Sequence, residues 1–164
     1  MLVFFVGYVE TGKNKWGQKL AKELGYDFVD TRIIMENISG YKYSNILNDK
    51  NLYIQLEQEA LEYVLKLENT VVATSELLPC RADNMDRLNA AGKTIFLRAG
   101  LGCIMMRVSK IKHEVPLLKN IDTDIVPDFI TMELKNRNPH YGKAQYIKLS
   151  REIRMKGILE FINK

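Results

Sequence analysis

Two glycines and a lysine near the start of the chain have the spacing of a phosphate-binding loop. Residues 7–13 read Gly-Tyr-Val-Glu-Thr-Gly-Lys, which fits the pattern GxxxxGK. Glycines let backbone N–H groups turn inward around an anion, the following helix adds the positive end of its dipole, and the lysine ammonium reaches the outer phosphates. We therefore expect a nucleotide to be bound through its phosphates by Gly7, Thr11, Gly12, Lys13, Asn14 and Lys15.

The position after the lysine departs from the usual pattern. A loop of this kind normally places Ser or Thr there, whose hydroxyl binds Mg²⁺, but this chain has Asn14. An amide oxygen would hold the metal weakly or through water. The loop therefore indicates phosphate binding more strongly than it indicates catalysis. A chance glycine turn is disfavoured because an apolar strand at 2–6 precedes the loop, and a helix at 15–24, ended by Gly25, follows it.

Composition describes one ordinary globular domain, residues 1–164, with 46% apolar and 27% charged residues. No apolar run approaches the roughly 18 residues of a membrane span, and residues 1–6 lack the basic flank of a signal peptide. Cys80 and Cys103 form no CxxC pair, and His113 and His140 have no partner at ligand spacing. We therefore expect a cytoplasmic monomer with no membrane partner, no disulfide and no structural metal.

Charge gives no indication of nucleic-acid binding. The net charge is +4, from 24 basic and 20 acidic residues spread along the chain. Because no block of basic residues is dense enough to form a nucleic-acid-binding surface, we expect no nucleic acid as a partner.

Strand and helix patterns alternate along the whole chain. Apolar and β-branched runs predict strands at 2–6, 27–30, 70–74, 94–97 and 146–149. Helical spacing predicts helices at 15–24, 33–38, 43–47, 52–67, 82–91, 101–109, 125–136 and 152–161. Gly92 and Pro139 are expected to end the fifth and seventh of these helices.

This alternation predicts the fold class. A phosphate loop on the first turn, followed by alternating elements, indicates a three-layer α/β/α P-loop fold with a five-stranded parallel sheet. Ligands in such folds lie at the carboxyl ends of the strands. Residues 110–123 are charged and aperiodic, so they are the expected mobile lid.

Five further segments, in order, resemble the shikimate kinase family, whose members transfer the γ-phosphate of ATP to a hydroxyl of shikimate. The family patterns LAxxLG, FxDTD, the strand before a glycine triplet, RPLL and RxPxY are matched here by residues 20–25, 28–31, 71–74, 116–118 and 137–141. The resemblance implies a P-loop kinase fold, a role in aromatic amino acid biosynthesis, and ATP and Mg²⁺ as cofactors. By the same resemblance, Lys13 and Asp30 are catalytic, Asn14 and Asp30 hold Mg²⁺ weakly or through water, and Arg107 lies near adenine.

The departures from the family fall on the shikimate half of the site. Arg32 replaces the second aspartate of FxDTD, Ile54 the arginine that holds the shikimate carboxylate, residues 75–77 the glycine triplet, and Val115 the lid arginine. An arginine stays protonated and cannot accept the proton of a hydroxyl. We therefore expect phosphorylation of shikimate to be lost, while nucleotide binding is kept.

Two functions remain open from the sequence. One is a kinase for a different small acceptor, bound in a rebuilt pocket by Arg32, Glu76 and Arg137. The other is a degenerate relative that binds nucleotide or nothing and has a structural or regulatory role. The three residues also have plainer interpretations: a solvated loop charge, a helix cap and an ion pair, respectively. An Arg32–Glu76 contact within about 4 Å and no cavity beside Lys13 would favour the second function.

Overall fold

A five-stranded parallel sheet lies at the centre of the computed structural model, which describes all residues from 1 to 164. Its strands are β1 Leu2–Val6, β2 Asp27–Asp30, β3 Thr70–Ala73, β4 Gly92–Arg98 and β5 Tyr146–Leu149. They lie in the order β2-β3-β1-β4-β5. The strand β1 is central because all five of its residues are apolar and buried, as a strand covered on both faces requires.

Eight α-helices connect and cover the strands, and all eight predicted helices are present with shifted ends. They are α1 Lys13–Leu24, α2 Thr31–Ser39, α3 Tyr43–Ile46, α4 Lys50–Val64, α5 Asn84–Ala91, α6 Leu101–Val108, α7 Val126–Tyr141 and α8 Met155–Ile162. Three short 3₁₀ turns lie at Leu78–Cys80, Lys112–Glu114 and Thr123–Ile125. None of the helices has the length and apolar composition needed to cross a membrane.

The sheet separates two apolar clusters, which confirms the three-layer α/β/α fold. Alternate residues of a strand face opposite sides, so Phe4 of β1 lies in the larger cluster and Phe5 in the smaller one. The smaller cluster contains Leu20 of α1 and Ile158 of α8. The larger cluster contains buried residues of α2 to α7. All five strands point their carboxyl ends to one edge, where the loop between β1 and α1 also lies.

The prediction that Pro139 ends a helix is wrong. Helix α7 continues through Pro139 to Tyr141. A proline in a helix loses the bond to the carbonyl four residues earlier, but here only the last turn is affected. The fully buried Tyr141 side chain gives that turn a packing contact, with its ring 5.2 Å from the ring of Phe96.

Gly92 does follow the last residue of α5, but its role lies in the sheet. Its φ of −173° is ordinary extended backbone, and it is the first residue of β4, paired with Leu2. A Cβ added there would meet the carbonyl oxygen of Leu2 well inside van der Waals contact. The glycine is therefore required by the close approach of β4 to β1.

The expected lid, residues 110–123, contains no α-helix. It consists of turns, the 3₁₀ turn at Lys112–Glu114 and the first residue of the next 3₁₀ turn, Thr123, and two of its side chains, Val115 and Leu118, are buried. Its mobility stays a prediction.

Candidate active site

The loop between β1 and α1 has the backbone conformation that its glycines permit. Gly7 has a φ of 145° and Gly12 a φ of 96°, values that side chains rarely allow. A Cβ on Gly7 would lie 2.9 Å from the carbonyl oxygen of Leu97. The hydroxyl of Thr11 donates to the carbonyl oxygen of Tyr8 at 2.9 Å, which holds the loop together from inside.

Lys13 is the first residue of α1, and its ammonium lies against the loop. Its Nζ donates to the carbonyl oxygens of Gly7 and Tyr8 at 2.8 and 2.7 Å, and the residue is 5% exposed. Burial lowers the pKa of Lys13 to about 8, against the opposing effect of the Glu76 carboxylate. A cation is thus available where the motif places an outer phosphate.

A cleft of about 400 Å³ opens beside Lys13. It is lined by residues 9–15 of the phosphate loop and the start of α1, and by residues of the lid, which are Ile111, Glu114 and residues 115–117. Arg32, Tyr43 and Glu76 also line it. The structure therefore places both predicted acceptor residues that follow strands, Arg32 and Glu76, in one cavity with the phosphate loop.

Arg32 and Asp30 form a tight ion pair at the carboxyl end of β2. Asp30 caps α2, since its Oδ1 accepts from the backbone N–H of Arg32 at 2.9 Å. The guanidinium Nη2 of Arg32 donates to Oδ2 of Asp30 at 2.6 Å, and Nε bridges the two carboxylate oxygens at 3.1 and 3.2 Å. Burial raises the pKa of Asp30, but the hydrogen bonds and charge of Arg32 outweigh it and hold that pKa below its usual value.

Asn14 joins this pair from the first turn of α1. Its Nδ2 donates to Oδ2 of Asp30 at 2.7 Å, and its Oδ1 accepts from Nη2 of Arg32 at 3.3 Å. The two residues expected to hold Mg²⁺ therefore lie together, but every oxygen they offer already accepts a hydrogen bond. No group of three His, Cys, Asp or Glu side chains lies anywhere in the chain at metal-binding distance. At a nucleotide site Mg²⁺ takes only one or two protein oxygens beside phosphate and water, but the oxygens of Asp30 and Asn14 that could serve already accept from Arg32 and Asn14, so this donor set does not fit it.

Glu76 follows β3 and is 4% exposed. Its Oε2 accepts from the hydroxyl of Tyr43 at 3.1 Å, whereas its Oε1 lies 3.7 Å from Nη1 of Arg32, beyond hydrogen-bond distance. Its side chain caps no helix. The backbone carbonyl of Glu76 accepts from the hydroxyl of Tyr141 at 2.6 Å, which ties this loop to α7.

Behind Glu76 lies a cluster of buried polar side chains that was not predicted from the sequence. The hydroxyls of Tyr43 and Tyr53 are 3.0 Å apart, and the buried carboxylate of Glu57 accepts from Ser75 Oγ at 3.0 Å and from Arg81 Nε. Burial raises the pKa of Glu57. The spacing of Tyr53 and Glu57, one helical turn apart on α4, was the available signal. Their partners come from distant parts of the chain.

The remaining predicted residues lie outside the cleft. Arg137 is 6% exposed and pairs with Glu133, one turn earlier on α7, while its guanidinium lies 5.3 Å from the ring centroid of Tyr8. This is the ion pair that its plainer interpretation described. Arg107 donates from Nη1 to the carbonyl oxygen of Glu10 at 2.6 Å, so it lies beside the phosphate loop.

The geometry therefore combines features of both functions left open by the sequence. Arg32 and Glu76 lie within 4 Å of each other, but a cleft beside Lys13 is present as well. Only one of the two predicted acceptor arginines, Arg32, lines that cleft.

A family model and two similar relatives, all described as shikimate kinase, match this chain. A sequence model described as shikimate kinase matches residues 10–163. Shikimate kinase from Parabacteroides distasonis is 33% identical over 144 residues, 87% of this chain and 83% of the relative. Shikimate kinase from Bacteroides thetaiotaomicron is 31% identical over 147 residues, 88% of this chain and 84% of the relative.

Solved structures agree with this result. The crystal structure of shikimate kinase from Bacteroides thetaiotaomicron has a TM-score of 0.86 and 29% identity, covering 99% of this chain and 94% of the other. Shikimate kinase from Acinetobacter baumannii in complex with shikimate has a TM-score of 0.84 and 22% identity, with 99% and 92% covered, and it supports the fold alone.

Proposed function

The chain belongs to the shikimate kinase family, and we propose that it binds ATP at residues 7–13 and transfers the γ-phosphoryl group to a small-molecule hydroxyl held by Glu76. One observation carries this proposal: a buried carboxylate, Glu76, lies in the same cleft as Lys13. The carboxylate that the family has after the second strand is replaced by Arg32, so Glu76 supplies the same chemical group from the neighbouring strand end.

Each residue has a definite part in the transfer. The loop N–H groups and the ammonium of Lys13 hold the phosphates and stabilise the charge that spreads over the γ-phosphoryl oxygens. Oε1 of Glu76, which accepts no hydrogen bond within the protein, accepts one from the acceptor hydroxyl. As the new P–O bond forms and the bond to ADP breaks, Glu76 takes the hydroxyl proton.

Shikimate itself is a poor acceptor in this proposal. Ile54 stands where the family has the arginine that holds the shikimate carboxylate, and Val115 stands where it has the lid arginine. Arg137 is paired with Glu133 and does not line the cleft. Each missing charged hydrogen bond removes about 1.5 to 3 kcal/mol of binding. Arg81 does not replace the missing arginine, because it pairs with Glu57 and does not line the cleft.

A second candidate is a nucleotide-binding protein that transfers nothing and has a structural or regulatory role. The Arg32–Glu76 contact of 3.7 Å favours it, because a guanidinium beside the carboxylate competes with an acceptor hydroxyl for it. Both candidates require nucleotide binding, so calorimetric titration with ADP and ATP comes first. No binding at millimolar nucleotide would reject both.

Phosphoryl transfer then separates the two candidates. The protein is incubated with ATP and shikimate, and with other small polyhydroxylated acids, while ADP release is followed in a coupled assay and the phosphorylated product by ³¹P NMR. We expect shikimate to give background rates and another acceptor to give product. Turnover of shikimate within the ordinary range of about 1 to 10³ s⁻¹ would contradict the first expectation.

The variant Glu76→Gln tests the assigned base. It keeps the size of the side chain but accepts no proton, so we expect transfer to fall by roughly 10² to 10⁴-fold while ADP binding is kept. Glu62→Gln removes an exposed carboxylate that pairs with Arg87 on the surface and should leave transfer unchanged. Equal rates in both variants would exclude Glu76 as the base.

A further inference from the structure

We propose that the guanidinium of Arg32 takes the place of a divalent cation at the phosphate loop, so that nucleotide binds there without Mg²⁺. The inference rests on the proposed nucleotide site and adds to it the charge that neutralises the outer phosphates. It follows from the disagreement between the expected metal site and the donor atoms that the structure places there.

The oxygens that would bind the metal are used by Arg32. Oδ1 of Asp30 accepts from the backbone N–H and from Nε of Arg32, and Oδ2 accepts from Nη2 of Arg32 and from Nδ2 of Asn14. The amide oxygen of Asn14 accepts from the same guanidinium. A cation that entered here would have to break these bonds and sit beside a permanent positive charge.

The same bonds fix the position of the guanidinium. Arg32 lies in the first turn of α2, and Asp30 binds both its backbone N–H and its side chain. Asn14 connects this pair to the first turn of α1, directly after Lys13. The guanidinium is therefore held in place relative to the phosphate loop, as a metal ion would be by its protein ligands.

One edge of the guanidinium remains free for a phosphate. Nε and Nη2 are engaged by Asp30 and Asn14, whereas Nη1 makes no hydrogen bond and lies 3.7 Å from Glu76. The Arg32 side chain is 29% exposed and lines the cleft together with Lys13. A guanidinium with free N–H groups donates charge-assisted hydrogen bonds to phosphate oxygens.

Calorimetric titration of the whole protein with ADP tests the proposal in two buffers, one with excess Mg²⁺ and one with EDTA. We expect the two dissociation constants to agree within roughly threefold. An affinity at least about tenfold weaker in EDTA would overturn the proposal while leaving the proposed nucleotide site intact. No binding in either buffer would overturn both.

The variant Arg32→Ala gives the complementary result. It frees the oxygens of Asp30 and Asn14, so ADP affinity should fall by at least about tenfold in EDTA and recover partly with Mg²⁺. Arg87→Ala removes an exposed arginine that pairs with Glu62, and it should leave ADP affinity unchanged in both buffers. If Arg32→Ala binds ADP as tightly as the natural protein in EDTA, the assignment of Arg32 is wrong. The two-buffer comparison on the natural protein decides the matter even if this variant does not fold.

Discussion

Lys13 is the residue whose protonation should be visible in nucleotide binding. Its pKa is lowered from 10.5 to about 8 because its ammonium is buried. A bound phosphate favours the ammonium and raises that pKa, so ADP binding should take up a proton when the free protein is partly deprotonated. Between pH 7 and 9 we expect the ADP affinity to fall by roughly tenfold.

Calorimetry at pH 8.5 in buffers of different ionisation heat measures the uptake directly. The variant Lys13→Arg, whose guanidinium does not titrate in this range, is the matched control and should show no uptake from this position. An affinity that rises with pH, or equal uptake in both proteins, would contradict the assignment. In the free protein the same shift has the opposite consequence, because the unfolded chain holds more protons between pH 8 and 10.5 and stability therefore rises across that interval.

Among individual residues, those whose positions depend on local sequence spacing could be predicted from the sequence. Gly7, Gly12 and Lys13 were predictable because one loop brings them together, whatever the rest of the chain does. The ion pair between Arg32 and Asp30 was not predicted, although the residues are two apart. The family pattern indicates which residue Arg32 replaces, but it does not indicate which residue Arg32 binds. The Glu57–Arg81 pair depends on packing between α4 and the segment after β3, so no local pattern contains it.

The contact between β4 and β1 provides a test at the level of elements. In Gly92→Ala, the new methyl group would collide with the backbone of Leu2, to which Gly92 is paired. The strands would have to separate, and we expect the free energy of unfolding to fall by about 3 kcal/mol, the upper end of the usual cost of overpacking. Urea denaturation measures this value.

Gly102→Ala is the matched control on α6. No heavy atom lies within 4 Å of the Cβ that would be added, and alanine favours a helix over glycine by roughly 0.5 to 1 kcal/mol. This variant should therefore be as stable as the natural protein or slightly more so. Equal destabilisation by both substitutions would show that the strand contact is not the cause.

Elements were predicted best where apolar spacing decides them. The strands β1, β2 and β5 were predicted with their observed bounds because their runs of apolar or alternating residues are short and clearly limited. Helix α7 was predicted too short because a propensity rule for Pro139 does not include the buried Tyr141 beyond it. Burial of a large aromatic ring outweighs one lost backbone bond.

For the whole molecule, the two apolar clusters share one sheet, so we expect them to unfold together. Circular dichroism and tryptophan fluorescence should give one coincident transition in urea. The single tryptophan, Trp16, packs against the smaller cluster, whereas most helices cover the larger one. Two separate transitions would contradict the single domain.

ADP at about 100 times its dissociation constant should add about 2.7 kcal/mol to the free energy of unfolding.

The central place of β1 has a consequence for the chain as it leaves the ribosome. Its neighbours in the sheet are β3 and β4, and Leu2 pairs with Thr70 on one side and Gly92 on the other. At about 5 to 20 residues per second, β4 is synthesised roughly 4 to 20 seconds after β1. Until β3 is made, the five consecutive apolar residues of β1 have no native partner on either edge, and until β4 is made one edge still lacks its partner. The segment that later holds the sheet together is therefore the one a nascent-chain chaperone would find exposed.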